Sequence, residues 1–103
     1  MNAAQFESKR YDLMVTLNAW ASSTQYVPPD AMAAALERWA HDVNQFKTLS
    51  RQARDPYFLS RCDHIKWAMT DSSQRLRRER RLTRDIASRI RMVAVDMGRL
   101  VLD

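Results

Sequence analysis

The stretch SSQRLRRERRLTRDIASRIR, residues 72–91, combines a helical apolar pattern with a high density of arginine. On a wheel of 100° per residue, with Ile86 at zero, several apolar residues lie within ~40° of that position. These residues are Leu82, Ile90, Val93, Met97 and Leu100. Thr70 or Asp71 can cap this segment, and Asp71 with Gln74 has capping-box spacing. The pattern predicts one long amphipathic helix near residues 71–102.

The stretch holds eight arginines and only two acids, Glu79 and Asp85. Five arginines fall opposite the apolar face, between ~120° and ~220°: Arg77, Arg80, Arg81, Arg84 and Arg91. On one continuous helix they would span about 21 Å. Two i,i+4 pairs, Arg75 with Glu79 and Arg81 with Asp85, would each contribute only ~0.2–0.5 kcal/mol. We therefore expect a basic helix face that is mostly uncompensated.

Three further helices are predicted near residues 3–21, 30–54 and 56–69. Asn2 and Gln5 form a potential capping box, and Asp55 before Pro56 is a start signal. Asp30 is predicted to cap the second helix after two prolines that cannot continue the first. The predicted inward faces are Phe6, Leu13, Leu17 and Trp20 in the first helix, Met32, Leu36, Trp39, Val43, Phe46 and Ala53 in the second, and Phe58, Cys62, Ile65 and Met69 in the third.

The composition fits a small helical protein. The chain has 103 residues, of which one is Gly and three are Pro. The tight hairpin turns of an all-β fold need more glycine than this. Its length predicts a single domain over residues 1–103. We expect an all-α fold, a small up-and-down bundle of about four helices.

The charge is uneven along the chain. Residues 1–37 have two basic and four acidic groups, net −2, whereas residues 38–103 have fifteen basic and eight acidic groups, net +7. A basic half favours anionic partners, above all nucleic acid or an acidic protein. Of the 17 basic residues, 14 are arginine. The planar guanidinium of arginine can donate two parallel hydrogen bonds to one phosphate.

No enzymatic motif is present in the sequence. It has no glycine-rich phosphate loop, no CxxC and no HExxH. The adjacent residues Cys62, Asp63 and His64 point ~100° apart on a helix and cannot all bind one metal. We therefore expect a protein that is not an enzyme, with no catalytic residue, no metal and no cofactor.

The sequence also predicts a second basic strip and three exposed apolar residues. Lys47, Arg51 and Arg54 lie at i, i+4 and i+7 and form a second basic strip, which either binds the same anion or only complements the helix dipole. Trp67 falls outside the predicted core face. Val95 and Leu102 point to the arginine side of the last helix. These three apolar residues are candidates for a protein interface, either with another subunit or through self-association.

The single cysteine, Cys62, excludes an intramolecular disulfide and suits a reducing cytoplasm. The first residues show no secretory signal, and no apolar run approaches the ~20 residues of a membrane span. We expect a cytoplasmic protein without a membrane partner.

Two functions are favoured from the residues alone, and a membrane-surface role ranks third because the face opposite the arginines is needed for the core. The first is binding of an RNA or DNA backbone, with little sequence specificity because few Asn or Gln accompany the arginines. The alternative is a phage, plasmid or bacterial adaptor or assembly factor that binds an acidic partner. A basic, single-domain bundle with an arginine-rich helix face also resembles the small helical subunits of CRISPR effector complexes. The resemblance implies a subunit of a larger nucleoprotein complex that holds nucleic acid through its backbone.

Overall fold

The computed structural model describes residues 1–49 and 55–100. Four helices account for most of these residues: α1 (Ala3–Ala21), α2 (Pro29–Phe46), α3 (Pro56–Glu79) and α4 (Arg84–Gly98). The described ranges contain no strand. The predicted all-α class and the number of helices are confirmed. No helix in these ranges has the length and hydrophobicity needed to cross a membrane.

Side-chain contacts show that each helix runs antiparallel to the next. Lys47, directly after α2, pairs with Asp63 near the start of α3, and Glu37 of α2 pairs with Arg77 near the end of α3. Between α3 and α4, and between α4 and α1, contacts likewise join the beginning of one helix to the end of the other. Aromatic contacts show it for α1 and α2, since the start of α1 meets the end of α2. The bundle is therefore up-and-down, as predicted.

Local capping explains where two of the helices begin. The Asn2 side chain accepts from the Gln5 backbone N–H, and the Gln5 side chain accepts in return from that of Asn2. The Asp55 carboxylate caps α3 by accepting from two backbone N–H groups. The second helix differs from its prediction at both ends, since it stops at Phe46 and not near residue 54. It begins at Pro29 with Pro28 as its N-cap, so Asp30 lies in the first turn and does not cap it.

Aromatic residues fill the core near both ends of the bundle. Phe6 packs edge-on against Phe46, with ring centroids 4.8 Å apart, and Phe58 lies 6.0 Å from Phe6. Near the other end, Trp20 stacks on Trp39 at 4.9 Å. The predicted inward residues of α1 and α3 are all buried, whereas Trp39 of α2 is only partly buried. Ala53 lies outside the described residues.

Cys62 is fully buried between the helices. Burial raises the pKa of its thiol to about 11. The neutral thiol is therefore the stable form at physiological pH, and Cys62 behaves as a small apolar core residue.

The predicted helix over residues 71–102 is wrong in its boundaries. The third helix continues through Thr70 and Asp71 to Glu79, and α4 begins only at Arg84. Asp71 therefore caps no helix. Arg80 ends α3 in the left-handed region, at φ 60° and ψ 22°, and the Thr83 hydroxyl caps α4 by accepting from the Ile86 N–H.

A change in helical phase explains this break. Leu76 is fully buried, but on one continuous helix it would lie ~80° away from Ile86. The buried face of α3 also includes Ser72 and Ser73, which a search for apolar residues does not detect. A turn between the two helices lets both buried faces point into one core.

Ala94 and Gly98 let α1 and α4 approach closely. Ala94 is buried, and a Cβ added to Gly98 would lie 3.1 Å from the sulfur of Met14. The carbonyl of Gly98 also accepts a hydrogen bond from Arg10. These small residues therefore serve a packing contact within the chain.

Candidate nucleic-acid interface

The predicted basic face does not exist as a single helix surface. Arg77 belongs to α3, Arg80 and Arg81 lie in the turn, and Arg84 and Arg91 belong to α4, which runs in the opposite direction. The arginines at 77–84 meet at the corner between α3 and α4, whereas Arg91 lies two helical turns further along α4. The five arginines therefore do not form the predicted continuous stripe along one helix.

Two of the predicted binding residues already have acidic partners. Arg77 holds Glu37 of α2 with both prongs of its guanidinium, with Nε–Oε1 at 2.8 Å and Nη2–Oε2 at 3.1 Å. These hydrogen bonds lower the pKa of Glu37 below its ordinary value. Lys47 pairs with Asp63 of α3. Both contacts join α2 to α3, which gives these two cations a structural role. Arg51 and Arg54 lie outside the described residues.

Arg91 and Arg10 stabilise the ends of neighbouring helices. Arg91 donates to the carbonyl of Ala21 at 3.3 Å, at the C-terminus of α1. Arg10 donates to the carbonyl of Gly98 at 3.4 Å, at the C-terminus of α4. Each guanidinium donates to a carbonyl that has no hydrogen-bond partner within its helix, and its charge is favourable at the negative end of the helix dipole.

Neither predicted ion pair, Arg75 with Glu79 or Arg81 with Asp85, forms among the described residues. Arg75 pairs with Asp71 at 2.9 Å and approaches Asp85 at 3.8 Å, and Arg89 contacts the same two acids. The predicted pair of Arg81 with Asp85 does not form because the helix breaks between these residues. Two acids thus neutralise two arginines along the α3–α4 seam.

Four arginines remain at the corner: Arg78, Arg80, Arg81 and Arg84, which we call the corner arginines. All four are exposed. Within residues 1–49 and 55–100, none of them forms an ion pair. Glu79 is the one acid among residues 77–84. Asp30 of α2 lines a pocket with Arg77 and Arg80, so the corner is a positive patch with an acid on its α2 side.

Helix dipoles explain only part of this patch. Arg77 and Arg78 lie in the last turn of α3, where positive charge is favourable. Arg84, in contrast, is the first residue of α4, where a positive charge is unfavourable by ~0.3–1 kcal/mol. Arg80 and Arg81 lie between the helices. The fold itself therefore gives no reason for arginine at positions 80, 81 and 84.

A cleft of about 370 Å³ adjoins the corner arginines at this end of the bundle. The α1–α2 connection forms one wall with Tyr26 and Val27, and the α3–α4 turn forms the other with Arg80, Arg81 and Leu82. We call it the end cleft. Tyr26 is 85% exposed. No sequence pattern singled it out, because residues in a connection follow no helical or strand periodicity.

The predicted interface residues lie elsewhere. Trp67, which is 62% exposed, lines a groove between α3 and α4 together with Met92. Val95 is exposed on α4, three residues after Met92. Leu102 lies outside the described residues. Trp67 and Val95 are thus accessible, and they are separate from the corner arginines in sequence and in position along the helices.

The left-handed backbone conformation of Arg80 can be tested by substitution with glycine. A left-handed conformation costs an L-residue ~1–2 kcal/mol, and glycine avoids this cost but has greater freedom in the unfolded chain. We expect Arg80→Gly to be neutral or to stabilise the fold by up to ~1 kcal/mol. Gln74→Gly, within α3, should instead destabilise by ~1 kcal/mol. Urea denaturation measures both, and an equal loss for the two variants would contradict the turn.

Comparisons with protein-family models, with curated proteins and with solved structures return no match.

Proposed function

We propose that this protein is a non-catalytic nucleic-acid-binding domain that holds the phosphate backbone of RNA or DNA through its corner arginines. The observation that supports this most strongly is the group Arg80, Arg81 and Arg84. These arginines are exposed, have no acidic partner within the described ranges, and lie where the fold does not require them.

Phosphate is the anion that this patch suits best. A guanidinium donates two parallel hydrogen bonds to phosphate oxygens, and several guanidiniums close together match the repeated charges of a nucleic-acid strand. Residues 77–84 contain no Asn or Gln that could bind base edges. We therefore propose affinity with little sequence specificity.

The small size of the patch favours a role inside a larger assembly. Four arginines around one turn contact fewer phosphates than a 21 Å helix face would, so the isolated domain should bind moderately. A nucleoprotein complex could add further contacts and raise the effective concentration. The resemblance to small subunits of CRISPR effector complexes is compatible with this role and stays a prediction.

A protein-interaction adaptor is the second candidate. It is favoured by the groove between α3 and α4, where Trp67 and Met92 are 62% and 54% exposed. Large exposed apolar side chains that lie together often mark protein interfaces, and Trp is enriched among residues that dominate binding. The two functions use different surfaces and are compatible in one subunit.

Salt dependence tests the proposed phosphate contacts. Each phosphate contact releases counterions, so Arg81→Ala should lower the slope of log affinity against log salt by ~0.9 on a duplex or ~0.7 on a single strand. The loss should be similar on two oligonucleotides of unrelated sequence. Arg38→Ala, at an exposed arginine of α2, is the matched control and should leave the slope unchanged. An unchanged slope for Arg81→Ala would exclude this residue from the interface.

A further inference from the structure

We infer that the end cleft binds one unpaired nucleotide of a single strand, with its base against Tyr26 and its phosphate on Arg80 and Arg81. The inference rests on the proposed function and specifies its ligand. It adds a base-binding element to a surface that otherwise contacts only the backbone.

The cleft has a suitable size and lining for a nucleotide. Its volume of about 370 Å³ lies in the range of small-molecule pockets. Val27, Met32 and Leu82 provide apolar surface, and Arg80 and Arg81 provide positive charge. Among the described residues that line it, none is acidic. An apolar wall beside two guanidiniums fits a flat base joined to a phosphate.

Tyr26 provides a stacking surface. It is the most exposed large apolar or aromatic side chain in the part of the chain that the structure describes. It precedes Pro28 and Pro29, which restrict the backbone of the connection. A base can stack on such a ring whatever its identity. Stacking on Tyr26 would therefore add affinity without adding sequence specificity.

Trp20 contributes to the wall of the same cleft. The residue lines the cleft, is only 4% exposed, and stacks on Trp39. Its indole Nε1 atom is buried and has no acceptor among the described residues. A buried N–H without an acceptor is unfavourable. Because Nε1 is covered by the protein, Trp20 provides the cleft with an apolar wall and not with an accessible donor.

The backbone around the cleft is also unusual. Ser23 and Arg80 both have positive φ values, of 56° and 60°, and both line the cleft. In the described ranges they are the only residues other than glycine with this conformation. Ser23 ends α1 in a Schellman arrangement, with Thr24 N–H bonded to the Ala19 carbonyl at 3.1 Å. Both walls of the cleft are therefore formed by tightly closed helix ends.

The shape of the site favours a single strand over a duplex. A base must leave its stack to enter a cleft between two connections, and this costs least in a strand that is already unpaired. A duplex keeps its bases stacked and would contact only the exposed arginines. We therefore expect a single strand to bind more tightly than a duplex of the same length.

An abasic strand separates the base from the phosphates. We propose to compare a short oligothymidylate with a strand of equal length in which every site is abasic, using fluorescence anisotropy. The wild-type protein should bind oligothymidylate roughly tenfold more tightly, because one base stacks on Tyr26 and the abasic strand has none. Tyr26→Ala should abolish this preference, and Tyr26→Phe should retain it.

Tyr57→Ala is the matched control because Tyr57 is an exposed tyrosine beside an arginine at the opposite end of the bundle. It should leave the preference unchanged. If Tyr26→Ala keeps the preference while Arg80→Glu with Arg81→Glu abolishes binding to both strands, the nucleotide site is refuted and backbone binding stands. If the wild-type protein binds neither strand, both proposals fail.

Discussion

Replacing Phe6 with alanine is expected to destabilise the protein by ~3–5 kcal/mol. Phe6 is fully buried, and its ring contacts those of Phe46 and Phe58. It therefore joins α1 to both α2 and α3. Alanine would remove most of this apolar contact and leave a cavity that rigid neighbouring helices fill only partly. A loss of this size is a large fraction of the stability of a small domain.

The control for this variant is Tyr11→Ala on the same helix, because Tyr11 is 58% exposed. Its effect should stay within about 0.5 kcal/mol. Chemical denaturation followed by far-UV circular dichroism measures both free energies of unfolding. Similar losses at the two positions would mean that the buried face of α1 is assigned incorrectly.

Reversing the charge at Arg80, Arg81 and Arg84 with glutamate should reduce affinity for an oligonucleotide by about 100-fold or more. Each charge-assisted contact at an exposed site is worth on the order of 1 kcal/mol, so three contacts give about two orders of magnitude. Repulsion between glutamate and phosphate adds to the loss. The effect should be largest at low salt, where screening is weakest.

The fold should survive this change. Glutamate at position 84 suits the positive end of the α4 dipole, and positions 80 and 81 are exposed in the turn. We therefore expect a helical spectrum like that of the wild type. The control is Arg38→Glu with Lys66→Glu and Arg99→Glu, which changes net charge equally at exposed positions outside the corner. If both triple variants lose affinity equally, net charge and not the corner accounts for binding.

Much of the fold follows from local sequence. The start of α1 depends on Asn2 and Gln5, and that of α3 on Asp55 and Pro56, so the contacts that define them lie within a few residues. The buried faces follow from periodicity, because residues at helical spacing share one side. Phe6, Leu17 and Ile90 are all buried as their spacing predicts.

Tertiary packing decided the position of the turn between α3 and α4. A helix over residues 71–102 would be about 48 Å long, whereas the longest extent of the bundle is 39 Å. Breaking the chain at residues 80–83 allows α4 to return along α3 and α1 and to bury Ile86 and Ile90. The Thr83 side chain stabilises the start of α4 as its N-cap. The helical periodicity on both sides of Thr83 hides this start signal in the sequence.

Tertiary structure also decided which arginines are accessible. The sequence by itself determined a basic, helical protein with more arginines than nearby acids could neutralise. It could not show that Arg77 would meet Glu37, forty residues away, or that Tyr26 would share a cleft with Arg80. These contacts join residues that are distant in sequence, so local periodicity carries no information about them. Only the antiparallel packing of the helices separates the arginines that hold the fold from those that are available to a partner.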